Sequence, residues 1–274
     1  MARDMWAEPE AWDEETARGS AAILDARAAA PDQVRLRAAL IALAGVGAGE
    51  TVVEVGSGTG PLLVDLARTV GPTGRAIGIE PQAHLAALAR EKLACEGLAE
   101  IAEVRAGRAE ALELTDAFAD VCIAQTVLLH VPATVLPRAL AEMARAVKPG
   151  GRVLTLDQDM STFVVDHPDT ELTERIVRAN LQRYEQPWMG RQARRRLMEA
   201  GLRDVRVEVI VQAETDPAGH LIGSAERTAQ AVADIGAITA DEAEGWLQQL
   251  REQVDAGHFF ASLNYYACVG TKSE

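Results

Sequence analysis

One stretch limits what this chain can fold into more than any other: Thr51-Val52-Val53-Glu54-Val55-Gly56-Ser57-Gly58-Thr59-Gly60-Pro61. An apolar β-branched run ends at a carboxylate and three alternating glycines, and a helix-like pattern (Leu62-Leu63-Val64-Asp65-Leu66-Ala67) follows at once. That order reads as strand, tight turn, helix, the opening of a nucleotide-binding α/β unit. Glycines in such a turn tolerate positive φ and let a ligand lie against bare backbone, and the helix beyond them presents unpaired N–H groups. A plain tight turn is the alternative while the motif stands alone. A dinucleotide loop, G-x-G-x-x-G, needs glycine at position 61, and Pro61 stands there.

Further motifs follow in order. Arg75-Ala76-Ile77-Gly78-Ile79-Glu80 reads as a second strand ending on an acid about 20 residues past the loop, where a carboxylate can accept both hydroxyls of a ribose. Residues 82–96 carry Leu85, Leu88, Ala89 and Leu93 at helical spacing. Ile101 to Arg105 is a short third strand, followed by Gly107-Arg108-Ala109-Glu110. Phe118 precedes a fourth strand, Ala119 to Ala124, which runs into Gln125-Thr126-Val127-Leu128-Leu129-His130-Val131-Pro132. After a helix over 134–147, Lys148-Pro149-Gly150-Gly151 predicts a type II-like turn before a fifth strand, Arg152 to Asp157.

The Glu-x-Gly-x-Gly-x-Gly loop, the acid ending strand 2, the Phe-x-Asp-Val strand 4 and the Lys-Pro-Gly-Gly turn together resemble the class I S-adenosylmethionine-dependent methyltransferases of small-molecule, natural-product type. The resemblance implies a Rossmann-like α/β fold, with a seven-stranded, mostly parallel sheet in the order 3-2-1-4-5-7-6, an antiparallel strand 7, and helices on both faces. It implies S-adenosylmethionine as cofactor, held by Glu54, Gly56, Ser57, Gly58, Gly60, Glu80, Pro81, Arg108, Ala109 and Gln125. An N-terminal segment closes over the cofactor in such proteins, which makes Gln33 and Arg37 candidates for its carboxylate. One position departs from the pattern. The turn after strand 3 usually offers an Asp to the adenine amino group, whereas Arg108 has no acceptor; it can stack on the ring or point away, with Glu110 as substitute acceptor.

Residues 1–30 are acidic and then alanine-rich, and read as a helical lid segment carrying Trp6 and Trp12; the domain proper spans 31–274. Strand 6 is expected over Val205 to Val211 and strand 7 over Ser262 to Gly270. Two helical insertions, 158–189 and 214–258, leave the C-terminal edge of the sheet and read as a substrate lid rather than a second domain.

The formal net charge of −14 argues against a surface that tracks nucleic-acid phosphates or anionic membranes. Cys95, Cys122 and Cys268 are odd in number and far apart, two of them in apolar runs, and read as reduced thiols of a cytoplasmic protein. No signal-peptide pattern or membrane-length apolar run is seen. The expected partner is a small-molecule substrate; a homodimer is left open.

Methyl transfer from a sulfonium needs alignment and exclusion of water, and only a hydroxyl of high pKa needs a base. His130 and Asp157 are the catalytic candidates. Asp159, His167, Trp188 and Tyr265 are the candidates for substrate contact, and no metal site is expected, since no further ligands fall at clear spacing. The acceptor is O, N or C of a secondary metabolite; Gln125-Thr126 stands where DNA amino-methyltransferases carry Asn/Asp-Pro-Pro-Tyr/Phe. Three other readings use the same residues: a cyclisation or rearrangement without methyl transfer, a nicotinamide oxidoreductase (disfavoured by Pro61), and a non-catalytic cofactor-binding partner.

Overall fold

In the computed structural model, which describes residues 4–274, the apolar run at the glycine loop is the central strand β1 (Thr51–Val55). Its parallel neighbours are β2 (Arg75–Glu80) and β4 (Ala119–Gln125). β3 (Ala102–Ala106) pairs outside β2, and β5 (Val147–Gln158) outside β4. A parallel strand covered on both faces reads as a continuous apolar run, and β1 shows why: Val52 points into one apolar cluster while Val53 and Val55 point into the other. By the same alternation Glu54 lies on the Val52 face.

The helices cover both faces. α2 (Pro31–Ala44), α3 (Pro61–Val70) and α4 (Ala83–Cys95) bury Leu36, Leu40, Leu62, Leu63, Leu66 and Leu93 against the first face. α5 (Leu136–Ala146) and α7 (Met189–Glu199) bury Leu140, Met143, Met189 and Leu197 against the second. α1 (Glu14–Ala29) starts on an Asp13 N-cap and packs against α2 and α4.

The last strands, β7 (Leu202–Glu214) and β8 (Ala261–Lys272), run antiparallel to each other, and β8 also pairs antiparallel with β5. The expected order is therefore realised as β3-β2-β1-β4-β5-β8-β7, with one addition. A two-residue strand, β6 (Val164–Val165), pairs with Ser262 and Ala261 of β8 beyond the end of β5 and makes the sheet eight-stranded. Such a short pairing leaves no hydrophobic alternation to read.

The Lys148–Gly151 turn is also placed differently. It forms a bulge inside β5 rather than a turn before it: Ala119 pairs with Val147, and the register resumes at Val121 and Arg152. The ammonium of Lys148 and the Thr51 N–H both reach the Asp120 carboxylate, at 2.7 and 2.8 Å, which ties the starts of β1, β4 and β5 together.

The two long insertions share the main core. α6 (Thr170–Asn180), α8 (His220–Asp234) and α9 (Ala240–Asp255) bury Ile176, Leu221, Val232, Trp246 and Leu250 in the same cluster as β1 and α3. No helix among the described residues is long and apolar enough to cross a membrane. Cys122 and Cys268 are buried and Cys95 exposed, all as free thiols.

Candidate functional site

The glycine loop lies at the C-terminal ends of β1 and β2, where ligands of open α/β sheets bind. Gly56 N–H and Ser57 N–H both donate to the Ile79 carbonyl, at 2.8 and 3.2 Å, so the loop is pinned to β2. Two glycines are sterically required. Gly56 has φ +73°, and a Cβ there would stand 2.4 Å from Val127 Cγ2; Gly60 has φ +86° and would meet Ala89 at 3.0 Å. Val127 belongs to the turn after β4, so Gly56 also sets how near that turn comes to the loop.

Around the loop sits a buried group of charges. Glu54 is 3% exposed, and its Oε2 has no hydrogen-bond partner. Burial first, then the charges of Glu80 and Asp65, hold this carboxyl well above the ordinary carboxylate range, against the pull of Arg37. Glu80 accepts from Gly58 N–H at 2.8 Å and Gln82 N–H at 2.9 Å; burial nevertheless pushes it from 4.5 to about 7. Arg37 donates from Nε to Asp65 at 2.7 Å and from Nη1 to the Ala28 carbonyl at 2.9 Å. A cavity of about 80 Å³ is bounded by Gly56, Ser57, Gly58, Glu54, Gln33 and Arg37, with Gln125, Thr126, Leu24 and Arg27 completing its wall. The structure thus gathers most of the expected cofactor residues. Thr126 holds φ +53° there, a costly backbone for a β-branched residue and the kind of strain that gathers at ligand sites.

The other end of the expected cofactor position differs from expectation. Arg108 does not lie free to stack on a ring. Its guanidinium pairs with Glu110 at 2.7 Å and with Glu10, and donates to the Ala7 carbonyl at 3.2 Å. It is a tether for the N-terminal segment, and Glu110, the substitute acceptor, is engaged by it. Ala109 is buried in the second-face core, and Pro81 joins Glu80 to the start of α4.

The same segment reaches His130. Asp4, at 7% exposure, accepts from the His130 Nδ1–H at 2.9 Å and from Glu185 N–H at 3.2 Å. Nδ1 bound to a carboxylate leaves Nε2 as the free acceptor of a neutral ring. The rings of Trp6 and Tyr184 lie 5.9 and 5.8 Å from that of His130. α1 joins the cover through Asp25, which accepts from the Thr59 hydroxyl at 2.6 Å and from Lys92 at 2.8 Å.

Several other expected site residues are engaged by protein partners. Asp157 and Asp159 do not face a cleft; both are fully buried. Asp157 Oδ1 accepts from Leu129 N–H at 3.1 Å, and its Oδ2 is unpartnered. Burial raises this carboxyl to about 8, against the pull of the backbone N–H groups of Leu129, Leu128 and Val127. It therefore holds the turn that carries His130. Asp159 caps the Met160–Thr162 turn and pairs with Arg191. His167 uses both ring nitrogens, Nε2 donating to the Trp246 carbonyl and Nδ1 accepting from Asp169 N–H, each at 3.1 Å, while its ring stacks on Trp246. Trp188 is 42% exposed at the start of α7. Tyr265 is fully buried, its hydroxyl accepting from Arg27 at 3.3 Å, Gln158 at 3.4 Å and Gln33 at 3.5 Å, beneath the cavity wall.

Asp4, Asp25, Arg27 and Tyr184 were not singled out from the sequence. Their partners lie 34 to 238 residues away, as in the Thr59–Asp25 and Arg27–Tyr265 contacts, and no local pattern announces such pairs.

Residues 52–151 match a family model described as a methyltransferase domain. A relative from Streptomyces fradiae, a 37.1 kDa protein in transposon Tn4556, is 33% identical over 233 residues, covering 81% of this chain and 62% of that protein. The ubiquinone/menaquinone biosynthesis C-methyltransferase UbiE of a Marinomonas species is 33% identical over 136 residues, 50% of this chain and 51% of the enzyme. The chain thus aligns with about half to three-fifths of the length of these relatives. Among solved structures, a phosphoethanolamine N-methyltransferase of Haemonchus contortus superposes with a TM-score of 0.63 at 15% identity, over 99% of this chain and 60% of that one. A putative methyltransferase of Bacillus halodurans gives 0.61 at 16% identity, over 87% and 99%. At such identities the likeness concerns the fold. Residues 52–151, headed by the glycine loop and set in the expected strand order, thus match a methyltransferase domain.

Proposed function

We propose that this protein transfers a methyl group to O, N or C of a small organic molecule, a secondary metabolite of quinone, terpenoid or polyketide kind. The observation that carries the cofactor end is the Glu54 carboxylate, buried beside the glycine loop with one oxygen unpartnered. A cationic ligand in the cavity favours the ionised form of Glu54 and of Glu80, which otherwise face each other at a cost. Glu54, Ser57 and the loop backbone would hold the amino-acid end of the cofactor, Gln33 and Arg37 its carboxylate, and Glu80 its ribose. When bound, the cofactor supplies an electrophilic methyl on a sulfonium.

The substrate end is built by the N-terminal segment. Asp4 fixes the His130 ring with Nε2 as acceptor, so His130 takes the proton of a hydroxyl acceptor as methyl transfer proceeds. Asp157 acts on this step through the turn it holds, and the 5–12 segment, 158–189 and 214–258 exclude water as lids. Names among the relatives and neighbours support a small organic acceptor: UbiE is a ubiquinone/menaquinone biosynthesis C-methyltransferase, and one neighbour is a geranyl diphosphate methyltransferase.

The test is incubation with S-adenosylmethionine bearing a deuterated methyl and a panel of hydroxyquinones, polyketide phenols and prenyl compounds, read by mass spectrometry. Products heavier by one labelled methyl are expected. A product of unchanged mass would move the chain to the cyclisation reading, which one structural neighbour, the [4+2]-cyclase SpnF, illustrates for this fold. Cofactor binding without turnover on any acceptor would leave a binding partner.

A further inference from the structure

The two sides of the sheet end differently. On one side the outermost strand is β3, five residues long, where Arg105 donates to Glu103 at 2.7 Å and Glu103 also pairs with Arg75. On the other side β7 runs for thirteen residues and, among the described residues, pairs with β8 alone. A strand at an edge presents a row of unpaired N–H and C=O groups, and soluble proteins blunt such edges with short strands, lysine, proline or bulges. β7 is long and contains neither proline nor lysine. Its bulge is confined to its start, between Arg203 and Arg206.

From Arg206 onward the strand is regular and its side chains alternate between faces. Val207 and Val209 stand opposite Cys268 and Tyr266 of β8, and Val211 continues their row. These three valines are 44%, 49% and 59% exposed. Val205 extends the row to a shallow groove of about 830 Å³ that it lines with Leu202, Arg206 and Met198 of α7, itself 50% exposed. On the other face stand Arg206 and Glu208, both exposed, and among the described residues neither forms an ion pair.

This pattern is complementary to itself. Residues directly opposite in an antiparallel pair share a face, so a second β7 related by a two-fold axis can pair only in registers that keep valine beside valine. An axis at Arg206 or at Glu208 sets that residue against its own copy, like charge on like charge. An axis at Val209 sets Glu208 against Ile210 and pairs no charges. An axis at Val207 sets Val207 against itself, Val205 against Val209, and Arg206 against Glu208 twice by symmetry.

We propose that the edge of β7 is a homodimer contact. A second copy of this chain pairs antiparallel about Val207, with Arg206 facing the partner's Glu208 in two symmetric ion pairs and the two valine rows side by side. The outward N–H and C=O groups of both strands are then bonded, and the two eight-stranded sheets become one. β4, β5 and β8 separate β7 from the glycine loop at β1 and β2, so this contact stands apart from cofactor binding.

The test is sedimentation equilibrium of the full chain over a range of concentrations. Wild type should sediment as a dimer, twice 29.3 kDa. Arg206→Glu and Glu208→Arg should each weaken dimerisation at least about tenfold, because both symmetric pairs become repulsive. Mixed one to one, these two variants should recover a dimer holding one copy of each, since every charge then meets its opposite. Val207→Lys, which sets two ammonium groups at the axis, should weaken dimerisation likewise. All four substituted positions or partners are on the exposed edge, and circular dichroism checks that each variant folds. A wild type that stays monomeric overturns the proposal. So do folded variants that dimerise as wild type does, and so does a mixture of the two charge variants that remains monomeric.

Discussion

Replacing Glu80 by glutamine should abolish the part of cofactor affinity that depends on pH around neutrality. In the free protein Glu80 is buried, accepts from Gly58 and Gln82, and titrates at about 7. To accept hydrogen bonds from both hydroxyls of a ribose it must be ionised. Affinity then follows the ionised fraction, about one part in eleven at pH 6 and nearly all at pH 8, so binding weakens about tenfold on acidification, roughly 1.4 kcal/mol. Calorimetry with S-adenosylhomocysteine in two buffers of different ionisation enthalpy counts the protons released, about 0.9 at pH 6 and about 0.1 at pH 8 for this group. Glu80→Gln should bind about 1.5–3 kcal/mol more weakly at pH 8 through loss of the charge-assisted bonds. It should also lack the slope. Titration of the ligand's own groups cancels in the difference between the two proteins. The stability of the free protein carries the same signature with the opposite consequence. A carboxyl raised from 4.5 to about 7 contributes stability that is complete below 4.5 and lost as pH rises through 7. An equal slope in wild type and Glu80→Gln would refute the reasoning.

Other perturbations test other parts of the site. Asp157, raised by burial from 3.8 to about 8, contributes stability present below 3.8 and lost as pH rises through 8, on the order of 5 kcal/mol. Urea unfolding should therefore find Asp157→Asn more stable than wild type at pH 9, with the gap shrinking to about 2 kcal/mol at pH 5 and closing only below about pH 3.8; the same difference at pH 9 and pH 5 would count against a neutral buried carboxyl. Gly56→Ala puts a methyl against Val127 at φ +73°. It should cost about 1–3 kcal/mol in thermal unfolding, and Val127→Ala in the same chain should restore part of it. Arg108→Ala removes the tether on Glu10 and Ala7. Cleavage by a glutamyl endopeptidase after Glu10 should then speed up relative to wild type, and an unchanged rate would mean that Arg108 does not hold the segment. Asp4→Asn should lower kcat about tenfold or more on a hydroxyl acceptor while leaving S-adenosylhomocysteine affinity unchanged, because Asp4 touches His130 and the Glu185 backbone rather than the glycine loop.

How far the site could be read from sequence depends on the distance between its parts. The glycine loop, Glu54 and Glu80 are neighbours along one strand-turn-helix-strand unit, whose geometry follows from local rules: β-branched residues favour strands, glycine takes positive φ, and a strand buried on both faces is continuously apolar. Their placement agrees with expectation, as do the helices and the crossing order of the sheet. The bulge at Lys148–Gly151 and the short β6 were out of reach because each is set by a partner strand.

Side-chain roles failed where polar residues had alternative partners nearby. Asp159 caps a short helical turn and His167 precedes the N-cap of α6, so local backbone and Arg191 claim them first, and their residue type alone could not reveal that. Arg108 stands where the pattern leads one to expect an acid. Only the folded chain shows that it meets Glu10, nearly a hundred residues earlier, and serves the lid.

By itself, then, the sequence determined the α/β class, the strand order, the glycine loop and the acid ending β2, since these rest on periodicity and on backbone constraints that act within a few residues. The tertiary structure alone decided that Asp4 orients His130 and that Asp157 is a buried support. Those contacts join segments distant in the chain, and their energies depend on burial and on neighbouring charge, which exist only once the elements are packed.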